Sequence, residues 1–439
     1  MSLHSPFSRS CTRYMTTMSA FICRLHLPAG NTGADFIVLR AARVVMYTAP
    51  APCGTYLQRR TIIRGHLFMP MFFLSFPPLR SLCGRRSFCL RPAAAAAACL
   101  LLCCLLPHPV LAAGSSMPVM QVGFKLLSAW DAESGERIEV GVWYPSTSTE
   151  RSAKVGERTL QVARDGVPEA GRFPTILLSH IMAGSALAHH DTARALAQKG
   201  FVVIAPTHRH DNQHDTRVLF TARHISDRLA ELTTSLDFVR KEKDLGAVID
   251  SRRIGAIGFD TGAAAVLIMA GGIPDPAGYQ GYCAGLRAPS PYCSRWAARR
   301  LSRLQQELPP LLARQIQVPH IRAAALVAPG YAFLFGKEQL AAISIPVRII
   351  SAENDGINAG HAAALREHMR VPPLYSVLED ADSFSLRAPC PPRLEQLDDT
   401  MCVDDDDVDR EAIHHRLNTD LTGFFLHTLG APVGTPARN

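Results

Sequence analysis

The stretch RRIGAIGFDTGAAAVLIMAGG, residues 252–272, constrains the fold more than any other part of the chain. It reads as a strand, a sharp turn and a helix, with Gly258-Phe259-Asp260-Thr261-Gly262 at the turn. A strand running directly into a helix is the repeating step of a parallel sheet, whose neighbouring strands need long, usually helical crossovers. The flanking segments agree. FPTILLSH (173–180) and FVVIAPTH (201–208) are near-continuous apolar runs, as expected of strands buried on both faces. Between them SALAHHDTARALAQKG (185–200) reads as a helix closed by Gly200. In TARHISDRLAELTTSLDFVRKE (221–242), Ile225, Leu229, Leu232, Leu236 and Val239 recur at helical spacing. Further strands are predicted at 322–330, 346–354 and 374–380, and a closing helix at 410–430. At the other end, 120–131 and 137–146 flank AESGE as a hairpin. The predicted class is α/β: a mostly parallel central sheet with helices on both faces and an N-terminal hairpin. Residues 272–320, loop-rich and then helical, are predicted to form a lid insertion over the strands' carboxyl ends, where such sheets bind ligands.

The formal net charge of +8 does not describe a folded surface. Residues 1–112 hold 12 Arg, no Lys and one acid, Asp35; the remainder sets 34 basic against 37 acidic residues, a net of −3. That distribution excludes a nucleic-acid footprint on the folded part. The leader itself reads as an export signal. Arg80, Arg85, Arg86 and Arg91 precede the apolar run AAAAAACLLLCCLL (93–106), and a small-residue cleavage site follows near Ala112 or Ala113. The run is shorter than the ~20 residues that span a bilayer, so no stable membrane span is expected once the signal is removed. GRRSFCL (84–90) loosely resembles a twin-arginine signal, with the general secretory route as the competing reading. The expected organisation is 1–68 as a disordered extension or translation from a start upstream of Met69 or Met71, 69–113 as the signal peptide, 114–433 as one folded domain and 434–439 as a tail. The expected location is periplasmic or secreted. Eight of the 12 cysteines lie in the leader. The other four, Cys283, Cys293, Cys390 and Cys402, fit disulfides in an exported domain, and sequence nearness favours Cys283–Cys293 and Cys390–Cys402. Zinc is the alternative, without a C-x-x-C spacing to support it.

Five blocks follow one another in order: LLSHIMAGS, GFVVIAPTHRHDN, RRIGAIGFDTGAAA, IPVRIISAENDGIN and DADSFSLRAPC. With these blocks the chain resembles the α/β-hydrolase fold, and more narrowly the exported relatives of dienelactone hydrolase and platelet-activating-factor acetylhydrolase, over about residues 118–430. The resemblance implies an ester hydrolase with a Ser–His–acid triad, and this sequence departs from it at several points. The turn matches the nucleophile elbow G-x-S-x-G, but Asp260 stands where the family has serine. A carboxylate attacks saturated carbon to give an alkyl ester; on an ester carbonyl it would give an anhydride. The plainer alternative is a surviving turn with no chemical task. Asp355 matches the acid that orients the histidine, with Glu353 a nearby competitor. The family's histidine falls in a pattern like A-G-H-F followed by A-P-C. Here Ala381-Asp382-Ser383-Phe384 precedes Ala388-Pro389-Cys390, so Ser383 holds the base position. A hydroxyl is not a general base near neutral pH, and loss of the base removes a factor of about 10²–10⁴. In the oxyanion loop, His180-Ile181-Met182-Ala183-Gly184 replaces His-Gly and small residues, and Ile181 and Met182 are expected to obstruct it. The amide of Thr261 would be the second donor.

The loop THRHDNQHD (207–215) admits three readings: a displaced base such as His208 or His210, a His/Asp metal site, or a solvated polar loop, the last being the plainest. His208, Asp211 and Asn212 match pocket-shaping positions of the family; His210 and His214 do not. The pairs His189-His190 and His414-His415 read as surface or packing residues on helices. DDTMCVDDDDVD (398–409) reads as an acidic loop without the glycine turn of a calcium-binding EF-hand. No cofactor or metal is expected. The expected function is that of a hydrolase-fold protein without ester hydrolysis, keeping a pocket for a small ester-like or lipid-like ligand or a protein partner. The alternative is an active hydrolase using Asp260 as nucleophile with a relocated histidine.

Overall fold

The computed structural model describes residues 119–286, 290–315, 319–356, 358–390, 402–405 and 408–430, with the backbone of 433–434. The leader, its cleavage site and nearly all of the tail lie outside the described residues. The chain divides into units 1–107 and 108–439, and everything below concerns the second.

Ten strands form one mixed sheet: β1 (Gln121–Asp131), β2 (Glu136–Ser146), β3 (Arg151–Val155), β4 (Arg158–Arg164), β5 (Gly171–Ser179), β6 (Val202–Pro206), β7 (Ile249–Phe259), β8 (Ala323–Val327), β9 (Val347–Ala352) and β10 (Leu374–Leu378). Their order is β10-β9-β8-β7-β5-β6-β2-β1-β4-β3. The strands from β5 onward run parallel, and β2 joins β6 antiparallel. The predicted hairpin is the antiparallel β1–β2 pair. Helices α1 (His190–Gln198), α2 (Ala222–Lys241), α3 (Gly262–Met269), α4 (Asn358–His368) and α5 (Arg410–Leu429) complete the layers. Two apolar cores, one on each face of the sheet, hold them there. The five apolar residues read in the α2 pattern are all buried at 1% exposure or less, each worth about 1.5–3 kcal/mol relative to solvent. Helix α3 has no polar face, because its Ala263, Ala264, Ala265, Val266 and Leu267 are wholly enclosed. No described helix is long and apolar enough to cross a membrane.

The β3–β4 hairpin is absent from the sequence-based reading. It carries no apolar run, since β3 has one fully buried residue, Val155. Helix α1 begins at His190, not at 185, because 185–189 pass in turns. The described residues of 272–320 hold short helices at Tyr279–Tyr282, Arg295–Leu301 and Leu304–Ala313. They are tied by Cys283–Cys293, and a second disulfide joins Cys390 to Cys402, so the pairing favoured by nearness holds.

The chain enters the parallel layer at β5, moves out to β6, then crosses back to place β7 on the other side of β5. This reversal opens the sheet's carboxyl edge between β5 and β7, the place where ligands of such sheets bind.

Candidate active site

Asp260 sits at the end of β7 with φ of 48°, a left-handed backbone that a residue with a side chain seldom adopts. The two flanking glycines make the turn possible. A Cβ on Gly258 would lie 2.5 Å from the Ala263 nitrogen, and one on Gly262 would lie 2.5 Å from the Ser179 carbonyl oxygen. The elbow therefore survives in full, with a carboxylate at its tip.

That carboxylate is held by the groups that in the family's mechanism would receive a substrate oxyanion. The Met182 amide donates to Oδ2 at 3.3 Å, and the Thr261 amide favours the charged form of the side chain. Asn358 donates to Oδ1 at 3.4 Å. Asp260 is 7% exposed. Burial pushes its carboxyl up to about 6, against the pull of the two amides and Arg228, and the charge of Asp355 adds to the rise.

The other two triad positions converge on the same place. Ser383 donates through its hydroxyl to Asp355 Oδ2, where the family's histidine would donate through its ring. Asp355 Oδ1 accepts from the Asn358 backbone at 2.9 Å. The Asn358 side chain also donates to Ser383 at 3.4 Å, so one amide links the Asp260 and Ser383 positions. The competitor Glu353 is exposed and accepts from the Asp380 backbone instead. Among the described residues no histidine hydrogen-bonds Asp260.

In the oxyanion loop the left-handed position is Ala183, with φ of 53°. The Ile181 side chain turns into the core. Three successive amides then fan out: Ile181 to His189 Nε2 at 3.3 Å, Met182 to Asp260, and Ala183 to Asp211 at 2.8 Å. His180 lies behind them, donating from Nδ1 to the Ile181 carbonyl at 2.7 Å and accepting the His208 amide at 3.0 Å.

The loop 207–215 is not a simple solvated loop; its inner half is interior. His208 and Asp211 are each 1% exposed. His208 joins Glu231 through Nδ1 and Ser179 through Nε2, both at 2.8 Å. Ser179–His208–Glu231 thus has the connectivity of a nucleophile, base and orienting acid, but Ser179 is wholly enclosed and also accepts from Arg228 at 2.9 Å. No acyl group reaches that oxygen in this conformation. Asp211 is gripped by Arg228 through both Nε and Nη2 and by His224 Nε2 at 2.7 Å, and the guanidinium holds its carboxyl far below the usual range. His210 pairs with Asp215 at 2.9 Å and Glu136 at 3.3 Å, and His214 is exposed. Among the described residues, no group of three or more His, Cys, Asp or Glu is placed to hold a metal ion. His189 is a packing residue, stacked on Phe259 with centroids 3.5 Å apart; His414 is buried against Asp191 at 2.6 Å. Of the acidic stretch 398–409, Asp404 pairs with Arg410 and Asp409 caps α5.

Tyr292, between Ser290 and Ser294, and Tyr331 after β8 are buried beside Asp260. A Cβ on Gly330 would lie 2.6 Å from the Tyr292 hydroxyl and 2.8 Å from Asp260 Oδ1. His361 meets the Tyr282 hydroxyl at 2.8 Å. Asn358, Arg228, Glu231, His224 and Tyr292 escape a motif-based reading. The signal for Arg228 and Glu231 is positional: they fall beside the apolar stripe of α2, where a charge is out of place.

Together the sheet order, the elbow and the converging positions define an α/β-hydrolase fold. No family model and no curated protein matches the sequence. Among solved structures the chain is similar to a ferulic acid esterase from Streptomyces cinnamoneus, at 14% identity and a TM-score of 0.50, over 73% of this chain and 94% of that one. It is also similar to a dienelactone hydrolase from Anabaena variabilis, at 12% identity and a TM-score of 0.39, over 70% of this chain and 99% of that one.

Proposed function

We propose that this is a hydrolase-fold protein that does not hydrolyse esters and instead binds a small ester-like or lipid-like ligand or a protein partner. One observation carries the reading: the amide of Met182 is spent on the chain's own carboxylate. A substrate oxyanion would have to displace Asp260, and like charge opposes it. The base position adds to this, because Ser383 gives its proton to Asp355 and takes none from residue 260. Export is part of the proposal: two disulfides suit an oxidising compartment, and the leader has the order of a signal peptide.

The test is turnover of a short p-nitrophenyl ester. The native chain is expected to match the blank, while Asp260→Ser with Ser383→His is expected to gain measurable esterase activity. Turnover by the native chain that disappears in Asp260→Ala would overturn the reading. A second reading has one observation in its favour. Asp260 keeps the elbow backbone and has amides polarising one oxygen, the arrangement needed to attack saturated carbon. An epoxide opened there would leave a hydroxyalkyl ester with no base to clear it. An intact-mass increase equal to the epoxide, absent in Asp260→Asn, would establish that reading.

A further inference from the structure

Room for a ligand is present elsewhere on the same sheet edge. A cleft of about 430 Å³ opens between the β1–β2 face, the loop after β6 and the tip of the β3–β4 hairpin. Leu126 on β1 and Arg137 and Glu139 on β2 line it, together with Leu187 and Arg158. Arg137 and Glu139 alternate along β2 and so share one face of the strand. Asp260, Asp355 and Ser383 are not among the lining residues.

Three guanidinium groups line this cleft, and among the described residues only one is ion-paired with a carboxylate. Arg209 lies among Asp131, Glu136 and Glu231 at 2.7–3.2 Å. Arg137 meets the Ser128 hydroxyl at 3.5 Å and the Trp130 ring at 6.0 Å, and no carboxylate pairs with it among the described residues. Arg158 donates to the Pro389 carbonyl at 3.0 Å and likewise has no carboxylate partner among them. Burial and the charge of Arg387 weaken its hold on its proton, and the more distant charge of Asp191 offsets only part of this. A partly desolvated cation gains from a directly bonded counter-ion, and the guanidinium fork fits a carboxylate. Glu139 supplies the complementary feature. It accepts from the Thr207 hydroxyl at 3.1 Å and has no cation partner among the described residues. Glu157, at the hairpin tip, is engaged elsewhere.

We propose that this cleft binds a small amphiphilic carboxylate. The carboxyl group bridges Arg137 and Arg158, a neighbouring N–H or O–H of the ligand donates to Glu139, and the apolar body rests on Leu126 and Leu187. The cleft's volume falls within the range of small-molecule sites. This assignment stands apart from the fate of Asp260, because the two sites share no residue.

The experiment is titration calorimetry on the full chain with N-acetyl-leucine, which carries a carboxylate, an adjacent N–H and an apolar side chain. The expected result is saturable binding, at least about tenfold weaker for N-acetyl-leucinamide, which lacks the charge. Arg137→Gln and Arg158→Gln are each expected to weaken the acid at least about tenfold. Arg252→Gln, whose side chain is 94% exposed and outside the cleft, is expected to leave it unchanged. Arg137 is itself on the surface, so its variant tests the site without endangering the fold. Absence of saturation, equal binding of acid and amide, or full binding by both cleft variants would overturn the proposal. So would equal affinity for inorganic phosphate, which would reduce the cleft to a simple anion site.

Discussion

Asp211 and Asp260 are two buried carboxylates on one sheet edge, and the chain treats them oppositely. Asp211 receives a two-pronged guanidinium, an imidazole at 2.7 Å and an amide at 2.8 Å. Asp260 receives a backbone amide at 3.3 Å and a side-chain amide at 3.4 Å, and Asn358 Oδ1 and Thr261 Oγ1 are buried beside it without a partner. Burial is the same; compensation is not. The first carboxyl is driven far down and the second rises to about 6. Full compensation marks a group that fixes the oxyanion loop through Ala183. Partial compensation leaves the carboxylate at the elbow the less stable of the two charges.

The sharpest way to break this contrast is to remove Arg228. Arg228→Ala strands the Asp211 charge among neutral neighbours and is expected to cost about 3–5 kcal/mol, measured by urea unfolding at pH 7. A loss under about 1 kcal/mol would show that the network is ornamental. Asp260→Asn should act in the other direction. A carboxyl raised in the folded state contributes stability below its unfolded value, near 3.8, and loses it as pH rises through about 6. The Asn variant is therefore expected to equal the native chain at pH 3.5 and exceed it above pH 7, by up to roughly 3 kcal/mol. Thermal melts at the two pH values read this directly, and a variant less stable than native at pH 8 would refute it. The smallest effect concerns the two acids after β9. Glu353→Gln should stay within about 0.5 kcal/mol, as for an exposed site. Asp355→Asn keeps one acceptor oxygen, so it can satisfy either Ser383 or the Asn358 backbone but not both, and should cost about 1–3 kcal/mol. Equal effects would remove the reason for preferring Asp355 in the acid position.

Local signals made much of this legible. The elbow was readable because Gly258 and Gly262 have no alternative in a turn that tight. The layers followed from apolar runs and from the α2 periodicity, and the disulfides from four cysteines in two close pairs. What stayed hidden depends on contacts across the chain. Arg228 meets Asp211 over 17 residues and Ser179 over 49, and no spacing rule links them. The oxyanion loop was hard to read for a related reason: its unusual backbone angle falls at Ala183, and an amide points wherever its backbone sends it. The burial of His208 was hidden because polar neighbours in sequence say nothing about the helix that covers them.

Gly330 has a larger meaning than its size suggests. It is the spacer between Tyr292 and the carboxylate at the bend, and it leaves no slack on either side. A single methyl group placed there would act as a wedge, driving the tyrosine outward and admitting water to the carboxylate. Access to the elbow is thus set by the missing atom of one residue, well away from the triad positions in sequence.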